Sequence, residues 1–465
     1  MTNDSGLWPS DGHQAVHFVG VGGVRMSAMA EMLARRGCVV SGSDRERSVF
    51  TEGLRQHGVV VAIGHGAENV GDVDAVVYTP AVGDENPELK AARERGIRVV
   101  EGKWLLGEMT RGKRLIAVAG THGKTTTTAM ITNICEKAAL DPTSFVGGSV
   151  LGADSNLRVG GDAVWVVEAD EYDRAFLELE PTVAVVTSLE ADHLDLYGSE
   201  EEIIETFDRF LNGMADDGTA VVNESYRASA DLTVPAGCER VSFGDASDAD
   251  LRATDVTPDG LKNRFTATLN GRELGTITLR LPGRHNVANA LSAIGAAHAI
   301  GAPWEAIQSG LETFQGVRRR FEVMYDSEGV VVVNDYAHHP TEISETLAAA
   351  RSVWSGRVIA VFQPHLYSRT RDFADAFGQS LSAADVCWLT DIYPAREAPI
   401  PGVTAESLTA LIPDCRYEPD LNTLAGSVVA SVEPGDMILV MGAGSIDRVA
   451  AEISSALGDV EVGPN

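Results

Sequence analysis

Gly120-Thr121-His122-Gly123-Lys124-Thr125-Thr126 directly follows an apolar, strand-sized run, Leu115–Ala119, and opens a helical stretch from about Lys124 to Lys137. A strand that ends in a glycine–threonine turn and passes straight into a helix belongs to a parallel α/β layer. Glycines there let the backbone curl, so that N–H groups at the helix N-terminus converge on phosphate oxygens. In such a loop Lys124 meets the β/γ-phosphates of a nucleoside triphosphate and the Thr125 hydroxyl ligates Mg²⁺. The loop is two residues shorter than the general GxxxxGK[ST] pattern, but its context is the required one. Gly120, Thr121, His122, Gly123, Lys124, Thr125 and Thr126 are therefore the candidate nucleotide-phosphate-binding set.

The rest of the chain repeats the strand–helix alternation. At 465 residues it is too long for one core. A first cycle runs from Ala15–Val19, which ends in Gly20-Val21-Gly22-Gly23, through an amphipathic stretch (Met26, Met29, Met32, Leu33) to strands at Cys38–Ser41, Val59–Ile63, Ala75–Tyr78 and Ile97–Val100. A second begins at Arg114. Its runs Val164–Val167 and Val183–Val186 are continuous and β-branched, as parallel strands covered on both faces are. Short alternating strands follow (Phe265–Leu269, Thr276–Leu281), then helices at Asn286–Ala299 and Trp304–Phe314. A third cycle starts near Phe321, with strands at Val331–Val333, Val358–Phe362, Val386–Thr390 and Met437–Met441 and helices at roughly 341–352, 371–383 and 445–457. The expected architecture is α/β in three domains, 1–112, 113–320 and 321–465.

Several polar blocks stand at the ends of these strands, where ligands bind in open α/β sheets. Glu168-Ala169-Asp170-Glu171-Tyr172-Asp173 offers carboxylates that can hold Mg²⁺ opposite the phosphate loop, and Asp192-His193-Leu194-Asp195 offers a histidine between carboxylates. Each alone fits a solvated acidic loop; three such features in one cycle favour a site. Asn334-Asp335-Tyr336-Ala337-His338-His339-Pro340 and Gln363-Pro364-His365-Leu366-Tyr367-Ser368-Arg369 border a possible second cleft in the third cycle, or cap the helices after them. Arg318-Arg319-Arg320 could neutralise a polyphosphate or form a solvated face, and the Gly20 turn fits a packing turn as well as a phosphate cradle.

Charge narrows the partners. With 37 basic and 67 acidic residues the net charge is −30, a field that repels nucleic acid and anionic lipid. The apolar runs are far below the roughly 18 residues that a membrane span needs. The polar, acidic stretch Met1–His13 has no export pattern, and five scattered cysteines without a CxxC read as reduced thiols. A cytoplasmic enzyme, monomeric or weakly dimeric, is expected. Lysine is scarce (Lys90, Lys103, Lys113, Lys124, Lys137, Lys262), which suits a high-salt cytosol and a GC-rich genome equally.

In this order the blocks resemble the Mur ligases of peptidoglycan precursor synthesis, most closely the branch that adds L-alanine to UDP-N-acetylmuramate. The resemblance is carried by His17–Gly23, Gly120–Thr126, Glu168–Asp173, Asp192–Asp195 with Tyr197-Gly198, Gly283-Arg284-His285-Asn286, Arg319-Arg320-Phe321-Glu322, Asp335–Pro340, Gln363–Thr370 and Asp391–Glu397. It implies an N-terminal Rossmann-like domain for the UDP-sugar, a central ATPase and a C-terminal Rossmann-like domain for the amino acid. It implies that Gly20, Gly22, Gly23 and Asp44 contact the UDP-sugar and that Asn286, Arg320 and Asp335 contact ATP. Mg²⁺ would be held by Thr125, Glu168 and His193, while His338 and Arg369 would face L-alanine, Arg369 gripping its carboxylate. The implied chemistry is phosphorylation of the lactyl carboxylate, attack by the amine and loss of phosphate.

The chain departs from the family pattern at three places. Arg25 stands where a third glycine is usual, so either the helix start shifts or Arg25 contacts the UDP diphosphate. Asn334 replaces a carboxylate, and Ser445 replaces an aspartate as a helix N-cap. No lysine lies between Lys137 and Lys262, so a carbamylated lysine beside His193 is not expected. Two other readings are a recycling ligase that joins UDP-N-acetylmuramate to a peptide and a nucleotide-binding homologue without catalysis.

Overall fold

The computed structural model describes residues 14–153, 155–190, 197, 199–395 and 397–458. By contacts the chain forms two compact units, one of Met1–Ser149, Ala153–Arg252 and Leu291–Gly310, the other of Val150–Gly152, Ala253–Ala290 and Leu311–Asn465. None of the described helices is long and apolar enough to cross a membrane.

The first unit holds a parallel sheet and a second one that is parallel except for the strand Leu157–Arg158, antiparallel to its neighbour. Strands β1 (Ala15–Val19), β2 (Val39–Asp44), β3 (Val60–Ile63), β4 (Ala75–Tyr78) and β5 (Arg98–Glu101) lie in the order β3-β2-β1-β4-β5. The order reverses beside β1, which puts the crevice of this sheet at the turn Gly20–Gly23. The second sheet uses β6 (Arg114–Ala119), β7 (Thr143–Phe145), β8 (Leu157–Arg158), β9 (Val164–Glu168), β10 (Val183–Val186), β11 (Thr219–Asn223) and β12 (Glu239–Phe243), ordered β12-β11-β10-β6-β9-β7-β8. Here β6 sits between β9 and β10, so the loops after these three strands meet at one sheet end. Their aliphatic runs are fully buried, which is why they carry no polar alternation.

In the second unit, β14 (Lys262–Leu269) and β15 (Arg272–Leu279), which follow β13 (Leu251–Asp259), form an antiparallel hairpin. Its tip is Asn270-Gly271, both at positive φ, the residue pair that a tight hairpin turn prefers. The six-stranded sheet contains β16 (Glu322–Ser327), β17 (Val330–Asp335), β18 (Val358–Phe362), β19 (Val386–Leu389), β20 (Cys415–Tyr417) and β21 (Met437–Met441), in the order β16-β17-β21-β18-β19-β20. β16 alone runs antiparallel to its neighbour. The helix expected over 371–383 is instead two, Tyr367–Asp372 and Ala374–Leu381, broken where Phe373 leaves the helical region and sets its ring edge-on against His339 at 5.0 Å. The last helix begins at Asp447, so Ser445 lies in the turn ahead of it and not at the expected cap.

Candidate active site

The loop Gly120–Thr126 is shaped by close backbone approach. Gly120 has φ +132°, and a Cβ there would stand 2.2 Å from Thr187 Oγ1 and 2.9 Å from the Ser188 backbone, so only glycine fits. Gly123, at φ +82°, caps the helix Lys124–Lys137. The stretch after β10 ties the loop down. Thr121 N donates to Ser188 O (3.0 Å), His122 N to Ser188 Oγ (2.8 Å) and Thr187 Oγ1 to His122 O (2.5 Å).

Lys124 folds back over this loop. Its Nζ donates to Gly120 O (2.5 Å) and Glu171 Oε1 (2.8 Å). Burial works against its charge, but the carboxylates of Glu171, Asp170 and Glu168 outweigh burial and hold the ammonium above its usual pKa. Glu168 ends β9 and accepts from Thr125 Oγ1 (3.1 Å) and Gly147 N (2.7 Å). Burial pushes Glu168 and Glu171 above the usual carboxylate range despite Lys124. Three carboxylates thus surround Lys124. Hard oxygen donors from Thr125 and Glu168 in such a surplus of negative charge fit Mg²⁺. The third expected ligand, His193, lies outside the described residues. His122, expected in the phosphate loop, also stands 3.3 Å from Glu190.

In the N-terminal sheet, Gly20 has φ +79° and Gly22 N donates to Asp44 Oδ2 at 2.8 Å, so Gly20, Gly22, Gly23 and Asp44 come together at the crevice. Gly23 is the N-cap of the helix Val24–Arg35, which starts on schedule, and Arg25 takes its first turn without shifting it. Behind this turn lies a network the sequence did not announce. Glu88 is fully buried and accepts from Ser43 Oγ (2.5 Å), Asn69 Nδ2 (2.5 Å) and Gly66 N (3.2 Å), with His65 Nδ1 at 3.3 Å and His17 Nε2 at 3.8 Å. Burial alone would raise its pKa, yet these donors bring it down to about 2. The visible signal was a glutamate on an apolar helix face, with no local pattern to name its partners.

The second unit carries the remaining candidates. Asp335, at the end of β17, is buried and accepts from Phe321 N (2.7 Å) and Ala337 N (2.8 Å). Burial raises its pKa against the pull of Arg320 and those two donors. It therefore anchors the turn that presents Arg320, whose guanidinium lies 5.0 Å from the Tyr336 ring centre. Asn286 is buried, donating to Pro282 O and accepting from Asn289 Nδ2. His338 Nδ1 faces Tyr336 O (3.0 Å) and Glu342 Oε2 (3.1 Å), and its ring meets His365 edge-on at 5.7 Å. His365 in turn stacks on Tyr393 and lies 3.4 Å from Arg369 Nη1. His338 and Arg369 are thus brought into one cluster, joined by His365. The buried Asn334 side-chain oxygen has no hydrogen-bond partner among the described residues.

Comparison with known proteins covers the same ground. Residues 15–114 match the Mur ligase family catalytic domain, 118–297 the Mur ligase middle domain and 319–444 the Mur ligase glutamate ligase domain. The UDP-N-acetylmuramate–L-alanine ligase of Geotalea uraniireducens is 44% identical over 450 residues, 96% of this chain and 98% of the other. That of Salinibacter ruber is also 44% identical, over 94% of this chain and 93% of the other. The crystal structure of the Thermotoga maritima UDP-N-acetylmuramate–alanine ligase superposes with a TM-score of 0.83 at 28% identity, covering 97% of this chain and 100% of that one. A murein peptide ligase from Psychrobacter arcticus reaches 0.69 at 25% identity, covering 97% and 100%.

Proposed function

The chain belongs to the Mur ligase family, and on that premise we propose a division of labour among its residues. It is an ATP-dependent ligase that adds L-alanine to UDP-N-acetylmuramate in peptidoglycan synthesis. A carboxylate does not acylate an amine in water without activation. The lactyl carboxylate therefore takes the γ-phosphoryl group of ATP with release of ADP, the alanine amine attacks the acyl phosphate, and phosphate leaves as the amide forms.

The observation that carries the reading is the convergence of Lys124, Thr125, Glu168 and Glu171 at the joined ends of β6 and β9. Lys124, kept charged by its carboxylates, neutralises the phosphates during transfer. Mg²⁺ held by Thr125, Glu168 and His193 would supply further charge neutralisation. The backbone of Gly120–Thr126 cradles the phosphates, and in the second unit Asn286, Arg320 and Asp335 are the residues assigned to ATP. Gly20, Gly22, Gly23 and Asp44 take the UDP-sugar, and Arg369 takes the carboxylate of L-alanine. The carbonyl of Tyr336 and the carboxylate of Glu342 favour the proton on His338 Nδ1. That leaves Nε2 to accept the proton shed by the attacking amine. Residues 1–112, 113–320 and 321–465 serve these three tasks, and the enzyme works in the cytoplasm, where its nucleotide substrates are.

Phosphate release with ATP, Mg²⁺ and UDP-N-acetylmuramate, with and without L-alanine, tests the reading, with products identified by mass. Release that needs both substrates and yields the alanyl product is expected. Release with a tripeptide but not with alanine would make the chain a recycling ligase, and nucleotide binding without any release would make it a non-catalytic homologue.

A further inference from the structure

A cleft of about 340 Å³ within the first unit runs from the turn after β1 to the acidic end of β9, and Arg25, Tyr78, Lys103, Gly147, Glu168 and Asp170 are among its walls. An anionic group entering it meets the carboxylates of Glu168 and Asp170, so it needs a cation there. Two basic side chains line the cleft. Lys103 Nζ already lies 2.8 Å from Glu101 Oε2, with both side chains largely covered. Arg25 is different. Its ion-pair contact is with Asp170 Oδ2 at 3.8 Å, and the two side chains are 32% and 40% exposed. So loose and wet a pair contributes little, and water can take over Asp170 when Arg25 turns away from it.

The position of the guanidinium identifies what it turns to. The Gly20–Gly23 turn and the N-terminus of the helix Val24–Arg35 already offer backbone donors for a diphosphate. Arg25 starts in that helix but reaches across the cleft to Asp170, two residues beyond Glu168, where the phosphoryl group is transferred in the function proposed above. The anion present at that end is the lactyl carboxylate, and a guanidinium fork matches a carboxylate bidentately in a way an ammonium does not. Resting on that proposed function, we propose that Arg25 binds the reacting lactyl carboxylate of UDP-N-acetylmuramate and makes the site prefer a sugar that carries one.

Calorimetric binding of two ligands tests this: UDP-N-acetylmuramate, and UDP-N-acetylglucosamine, which lacks the lactyl group. Arg25→Met should weaken UDP-N-acetylmuramate by about 10- to 100-fold, as loss of hydrogen bonds to a charged group does, and leave UDP-N-acetylglucosamine unchanged. Arg25→Lys should restore part of the loss, because it keeps the charge without the fork. Unchanged UDP-N-acetylglucosamine binding also certifies that the variant is folded. Equal weakening of both ligands would assign Arg25 to the diphosphate and overturn the inference, as would no weakening of either. Failure of the unaltered protein to bind UDP-N-acetylmuramate would instead sink the function on which the inference rests.

Discussion

Two groups of buried acids in the first unit behave in opposite ways. Around Glu88 every nearby group donates, and the carboxylate is held down to about 2. Around Glu168 and Glu171 three carboxylates crowd Lys124, and burial pushes both glutamates up. The first arrangement is scaffold: a donor-rich network that fixes the segment from Gly64 to Asn69 against β2. The second is under-neutralised in the protein alone and has capacity for added cations. Sites and scaffolds built from the same residue type are thus told apart by whether the charge is already balanced.

Removing Lys124 from the acidic cluster should have the largest effect. Lys124→Met is expected to lower kcat by roughly 10³-fold or more, the scale of losing a charge aimed at a transferring phosphoryl group. It also takes the Lys124 ammonium from buried Glu171, so the melting temperature should fall as well. Steady-state phosphate release and thermal melting measure the two. Full activity in a folded Lys124→Met enzyme would mean that the acidic cluster is scaffold too.

The balanced network should answer to pH. Glu88 has a folded pKa below its unfolded value, so its stabilisation is present above about 4.5 and is lost as pH falls towards 2. The size is about 3 kcal/mol at neutral pH. Glu88→Gln should therefore lose most of that stability at pH 7 and little at the acid end of the range. Urea unfolding at several pH values gives the comparison, and a pH-independent loss would show that packing matters there and charge does not.

Much of the strand–helix frame was legible in the chain. Ala15–Val19, Ala75–Tyr78, Val183–Val186, Val358–Phe362 and Met437–Met441 occur where the apolar runs place them, because strands buried on both faces need nothing but such runs. The helix Lys124–Lys137 also stands as read. The edge strand Cys415–Tyr417 was missed, being short and only half-buried, with no periodicity to betray it. Site residues divide along the same line. The Gly120–Thr126 loop is contiguous, so the chemistry proposed for it can be read locally. The Glu88 network joins Ser43 to a residue 45 positions away, and pairing of Lys124 with Glu171 rather than Glu168 depends on how the chain turns after β9. Such choices are made by packing, which no local spacing encodes.

The two glycine turns sharpen the comparison at smaller scale. Gly120→Ala would drive a Cβ into the backbone of Ser188 at φ +132°, and neither side can yield; a loss of about 2 kcal/mol or more is expected. Gly20→Ala, at φ +79°, meets the Thr79 methyl at 2.5 Å, and a side chain can rotate away, so about 1 kcal/mol should suffice. Urea unfolding of both variants ranks them, and the reverse order would place the tighter frame at the Gly20 turn.

The smallest effect has the opposite sign. Glu168 carries a charge that burial disfavours, and its two hydrogen bonds can both survive in an amide, whose oxygen accepts from Gly147 N while its NH₂ donates to Thr125 Oγ1. Glu168→Gln should therefore raise stability by about 1 kcal/mol in chelator at neutral pH, since a partly buried charge is removed without orphaning a partner. The same variant should lose activity, because in the proposed function that carboxylate helps to hold Mg²⁺. A stabilised, inactive variant is what a site kept under-neutralised for its ligand predicts. A destabilised one would mean that Lys124 needs Glu168 as much as Glu171, and the acidic cluster would then be balanced in the same way as the network around Glu88.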